Sequence, residues 1–203
     1  MITSLLVLNE PQRTEVIKRS VQSVDHWIND YGNDGGCDEG PAYWGEAGGR
    51  FIEFIYYLTS VSDRQMNWSS NQLFKNIGSY IYRMHIDGNY FVNFADSKAT
   101  LSPDPNVILN YGQSLNDESM RNFAAYFYVL GGKDWRLGDY SQKGHLQQFY
   151  LQMIGFNELR NKTPKAPQPL ESWFPDIQVL TLRSTEGSAK GLFLGAKAGS
   201  NCE

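Results

Sequence analysis

Asp34-Gly35-Gly36-Cys37-Asp38-Glu39-Gly40-Pro41-Ala42-Tyr43-Trp44 is the stretch on which the reading of this chain turns. With Gly32 it places four glycines and a proline within residues 32–42, so it is a loop with backbone angles that most residues avoid. Before it, Ile17, Val21, Val24, Ile28 and Tyr31 recur at steps of three and four. They form one apolar face of a helix that opens near Pro11 and stops at Gly32. After it, residues 45–61 predict a second helix. Phe51, Ile52, Phe54, Ile55, Tyr57 and Leu58 leave that helix apolar nearly all round, which puts it on the inside of a helical assembly.

Farther out, Ser70 or Asn71 caps a third helix carrying Leu73, Phe74, Ile77, Tyr80, Ile81 and Met84 on one side. Residues 90–94 are a short extended segment or tight loop, and Pro103 and Pro105 break the chain. Asn116-Asp117-Glu118 opens a helix with Met120, Phe123, Ala124, Phe127 and Leu130, ended by Gly131-Gly132. A further helix covers residues 141–159, and His145 lies on its surface. Residues 161–169 hold three prolines and no large apolar side chain, the composition of a linker. Beyond it, Ile177, Val179, Leu180 and Leu182, then Leu192, Phe193 and Leu194, predict two or three strands. So few strands need the helical part, or more sheet, to be stable. Helix pairs joined by loops fit a bundle or an α/α toroid, and the all-round apolar second helix favours the toroid.

With 203 residues, 41% of them hydrophobic and 20% charged, the chain can bury a sizeable core. Its net charge of −4, without a basic stripe, gives nucleic-acid binding no electrostatic support. An acidic chain can still bind an anion where arginines and lysines cluster in a cleft. No apolar run approaches the ~20 residues of a membrane helix. The opening run Leu5-Leu6-Val7-Leu8 lacks the basic start and cleavage site of a secretory signal and reads as the tail of a helix. Cys37 and Cys202 offer no zinc spacing, and a bridge between them is left open.

Taken alone, Asp38, Glu39 and Tyr43 on a glycine-rich loop at a helix start fit a tight turn with capping acids as well as a chemical site. Arg83 can clamp a carboxylate or sulfate through two N–H groups, or oppose a helix dipole. His85 fits a ligand contact or a structural histidine. Aromatic residues make up 14% of the chain, and Trp44 beside Tyr43 suits either a sugar-lined cleft or a core.

The loop, followed by Gly45-Glu-Ala-Gly-Gly49 and Lys75-Asn-Ile-Gly-Ser-Tyr-Ile-Tyr-Arg-Met-His85, resembles the heparinase II/III-like polysaccharide lyases. Glu171-Ser-Trp-Phe-Pro-Asp176 and Gly191-Leu-Phe-Leu-Gly-Ala-Lys-Ala-Gly199 resemble the opening of that family's C-terminal β-sandwich. The likeness runs in order through nearly the whole chain. It implies a mainly α fold: an incomplete α/α toroid over residues 1–165, then a linker and the first sandwich strands over residues 166–203. It implies β-elimination from an acidic, uronate-containing glycan, in a periplasmic or secreted protein.

In that chemistry a base takes the C5 proton, the uronate carboxylate is neutralised and the 4-O group leaves. The family's proton-transfer tyrosine falls on Tyr43. A tyrosine with its ordinary pKa of about 10 is a ready acid, and a base only when a nearby cation lowers that value. Glu39, Trp44, Arg83 and His85 are the candidate substrate contacts. The family's carboxylate-neutralising Asn or His, and its His-rich stretch with catalytic and metal-binding histidines, match no position here. The expectation is therefore a fragment without a cofactor or metal, inactive alone, with exposed strands able to self-associate. A non-catalytic carbohydrate-binding domain and a toroidal glycoside hydrolase using Asp38 and Glu39 are the alternatives.

Overall fold

The computed structural model describes residues 9–62, 65–131 and 146–199. The readings made for the run at residues 5–8, for residues 141–145 and for Cys202 fall outside them. The fold is mainly helical. Helices α1 (Gln12–Asn29), α2 (Gly48–Val61) and α3 (Gln72–Arg83) lead to a small hairpin of β1 (His85–Asp87) and β2 (Tyr90–Phe91). Helices α4 (Pro105–Ser114), α5 (Glu118–Leu130) and α6 (Leu146–Asn161) follow. An antiparallel sheet of β3 (Glu171–Phe174), β4 (Val179–Arg183) and β5 (Phe193–Lys197) comes last.

Local chemistry sets the helix ends. Asn71 accepts the backbone N–H of Phe74, Asp104 that of Asn106 and Asp117 that of Met120, each satisfying a donor left over by the first turn. Helix α4 corrects the sequence reading. Pro105, expected to break the chain, stands at the first helical position, where its missing N–H costs nothing. Every residue from Pro105 to Gly112 is buried, so α4 belongs with α2 at the centre. Leu115–Asp117 turns the chain straight back into α5, with Asp117 N–H bonded to Gly112 C=O at 2.8 Å. By contrast α1 buries no residue completely and lies outside, touching the core through Val24, Trp27 and Ile28.

Residues 161–169 are packed rather than free. Lys165 N–H donates to Asn122 C=O, Ala166 and Gln168 are buried, and the Gln168 amide reaches Ile86 C=O at 3.2 Å. Their lack of large apolar side chains hid this docking. In the sheet, β3 falls on the Glu171–Asp176 stretch that the resemblance, but not the apolar pattern, gives to the sandwich opening, whereas Ile177 lies in the β3–β4 turn. Phe174 pairs with Val179 across that turn. The sheet leans on the helical part: Phe174 packs edge-on against Tyr80, Thr181 Oγ1 donates to Arg83 C=O, and Arg183 donates to the carbonyls of His85 and Ile86.

Candidate functional site

The glycine-rich loop between α1 and α2 is held from several sides. Gly35 and Gly40 have φ of +74° and +91°, in the left-handed region. A Cβ at Gly35 would come within 2.2 Å of the Asn76 backbone, so the loop lies directly on α3. Asn76 donates to Asn33 C=O at 2.7 Å, the Tyr80 hydroxyl to Cys37 C=O at 3.1 Å, and Ala42 N–H to Ser97 Oγ at 3.1 Å. The indole N–H of Trp44 donates to Ile77 C=O at 2.7 Å. The carboxylate of Asp34 accepts from Gly36 N–H in the loop and from Asp176 N–H in the β3–β4 turn, both at 2.7 Å.

So fixed, the loop sorts its side chains. Asp34, Cys37 and Trp44 are buried, whereas Asp38, Glu39 and Tyr43 are exposed, Tyr43 at 40%. Tyr43 begins a one-turn 3-10 helix, Tyr43–Gly45, and its carbonyl accepts the N–H groups of Glu46 and Ala47. Among the described residues, no side chain bonds the Tyr43 hydroxyl. Burial pushes the Cys37 thiol up to about 11, so it is not a thiolate near neutrality.

The other sequence candidates separate. Trp44 is 1% exposed and its N–H is taken by Ile77, so most of its ring belongs to the core. His85 is also 1% exposed, ringed by Phe91, Phe123, Tyr126 and Phe127, with Nε2 2.9 Å from Gly88 C=O. Both residues do structural work. Arg83 is half-buried at the seam with the sheet: its guanidinium lies 4.0 Å from the Phe174 ring centre and donates to Trp173 C=O at 3.2 Å. Burial holds its pKa below the usual arginine value.

The chain matches no family profile and no curated protein.

Two clefts flank the loop, and neither is lined by Tyr43, Glu39 or Arg83. One, of about 530 Å³, runs along the seam between loop and sheet and is bounded by Tyr31, Asp38, Asp176, Gln178 and Lys197. The other, of about 280 Å³, lies beside the 3-10 turn and α2 and is walled by Trp44, Arg50, Glu53 and Asp104. Sequence reading missed Glu53, which is 4% exposed. Burial raises its pKa and the Arg50 partner at 3.2 Å works against the rise. Its position on the apolar second helix was the available signal. Among the described residues no three His, Cys, Asp or Glu side chains converge on a metal-sized site.

Proposed function

We propose that this chain is part of a polysaccharide lyase that cleaves an acidic, uronate-containing glycan by β-elimination, with Tyr43 transferring the proton. In this reading α1 to α6 are a segment of an α/α toroid and β3 to β5 begin a sandwich. One observation carries the proposal. A loop staked to α3, Ser97 and the sheet buries Asp34, Cys37 and Trp44 but leaves Tyr43 exposed, with Asp38 and Glu39 close by in sequence. Holding a general acid on rigid backbone is what proton transfer at a sugar carbon requires. Glu39 positions the sugar, and Arg83, where the glycan reaches the seam, faces its anionic groups. Trp44 and His85, both buried, support the fold around the site in this reading. No residue of this chain is matched to the group that neutralises the uronate carboxylate, and such charge stabilisation is usually the largest catalytic contribution. The 203-residue chain alone is therefore expected to be inactive.

The test is expression of the segment together with its flanking coding sequence. The protein is incubated with heparin, heparan sulfate or alginate, and absorbance of the unsaturated product is followed. Tyr43→Phe should lower turnover by ~100-fold or more, the usual share of an acid–base group, and leave the fold intact. Near-normal turnover in that variant ends the assignment. A second reading, glycoside hydrolysis, draws on the buried Glu53, whose raised pKa suits a general acid facing a cleft. New reducing ends without ultraviolet absorbance would favour it.

A further inference from the structure

Asp34 and Asp176, 142 residues apart in sequence, exchange bonds in both directions. Asp34 N–H donates to Asp176 Oδ2 at 3.0 Å, and Asp176 N–H donates to Asp34 Oδ2 at 2.7 Å. The same Asp34 oxygen lies 3.4 Å from Ile177 N, and Asp34 Oδ1 accepts Gly36 N–H at 2.7 Å. One carboxylate, 9% exposed, thus joins its own loop to the β3–β4 turn. Each of its oxygens faces donors, and an amide offers one acceptor oxygen rather than two. From Gly36 the chain of bonds continues toward the exposed tyrosine: Gly40 N–H donates to Cys37 C=O at 3.0 Å, and Tyr43 N–H to Gly40 C=O at 3.2 Å.

We propose that Asp34 is a positioning residue for the reaction put forward above: its carboxylate ties the Tyr43 loop to the sheet, so sheet docking sets where the Tyr43 hydroxyl stands. The inference rests on Tyr43 being the proton-transfer group. The sheet has other anchors, since Thr181 bonds Arg83 C=O, Arg83 bonds Trp173 C=O, and Arg183 bonds the β1 carbonyls. Loss of the Asp34–Asp176 pair therefore loosens the loop's tie to the sheet without undocking the sheet, while the bonds to Asn76, Tyr80 and Ser97 still hold the loop on the helical body. A displacement of about 1 Å at a reacting group can cost ~100-fold in rate.

The experiment places Asp34→Asn and, separately, Asp176→Ala in the protein carrying its flanking coding sequence. Amide exchange and steady-state kinetics on the uronate polymer are then measured. Residues 36–43 should exchange ~10-fold faster or more while α2 and α3 keep their protection. The kcat should fall between ~10- and ~100-fold with KM nearly unchanged. Exchange in the loop that stays at the wild-type rate overturns the proposal whatever the kinetics. Faster exchange throughout α2 and α3 also overturns it, because the pair would then hold the fold as a whole. If Tyr43→Phe is inactive while both aspartate variants turn over normally, this inference fails alone. If Tyr43→Phe is active, the reading beneath it fails.

Discussion

His85 shows what a single residue does in this fold. Gly88 C=O faces its Nε2, so the neutral ring carries its proton there and leaves Nδ1 buried without a partner. Four aromatic rings with centroids 5.0–5.6 Å away surround it. Burial pushes its pKa down to about 4, the Gly88 carbonyl opposes that shift, and nearby Arg183 adds to it. The folded state thus binds the His85 proton more weakly than the unfolded chain, whose histidine titrates near 6.5. Stability from this residue is fully present above about pH 6.5 and is lost as pH falls toward 4. The loss should total roughly 3 kcal/mol. Thermal unfolding at pH 7, 5.5 and 4 measures it, and His85→Phe should flatten that part of the profile. An unchanged slope in the variant would assign the acid sensitivity to other groups. This environment is not legible from the residues around His85. Histidine after Arg83-Met84 is the same letter whether it faces solvent or four rings, and Phe123, Tyr126 and Phe127 come from α5, remote along the chain. Trp44 carries the same lesson, because the Ile77 carbonyl that takes its N–H lies 33 residues on.

At the scale of elements, periodicity made α1, α2, α3 and α5 legible because each has an apolar stripe or an apolar circumference. Helix α4 escaped for a physical reason. It is buried on every side, so Asn106 and Asn110 interrupt its apolar positions and no polar face marks its period. Pro103 just ahead of it and Pro105 at its first position also imitate a break. The decisive signal was Asp104 before Pro105, an N-cap followed by the residue best suited to the first helical position. Asp104 Oδ1 accepts both the backbone N–H of Asn106 at 2.8 Å and its side-chain amide at 3.0 Å. Asp104→Ala should therefore cost about 1 kcal/mol, with Asp104→Asn closer to wild type, read from urea midpoints. Equal midpoints for wild type and the alanine variant would show that packing alone holds the start of α4. Helix α6 matched its expected end near residue 159, since Leu159 is buried and the helix closes at Asn161. The loop was recognised as a loop and as a candidate site from its glycines and acids. Which of its side chains emerge depends on α3, Ser97 and the sheet, and none of these is adjacent in sequence.

The whole molecule is a helical body with one small sheet laid on it, and the sheet has two unlike faces. Ser172, Phe174, Val179, Thr181 and Arg183 alternate inward and are buried. The pairing register puts Trp173, Leu180 and Ala196 in one row of the outer face and Glu171, Leu182 and Leu194 in the next. Trp173 is 51% exposed and Leu194 53%, and Leu192 beside β5 reaches 83%. Apolar side chains in register over two rows form a continuous patch rather than the scattered exposure of an ordinary surface. Among the described residues both outer strands, β3 and β5, are also edges of this sheet. In water such a face gains from being covered, at roughly 25 cal/mol for each Å² of apolar area removed. In a solution of the 203-residue chain alone, a second copy is the available cover. Sedimentation at increasing concentration should show reversible self-association. Leu194→Lys should oppose it, because in a symmetric contact two copies bring two ammonium groups into one apolar patch. Leu194 is 53% exposed on the outer face, so circular dichroism of the variant should remain that of the parent chain. A parent that sediments as a monomer at every concentration, or a lysine variant that associates as strongly as the parent, would place the contact elsewhere or remove it.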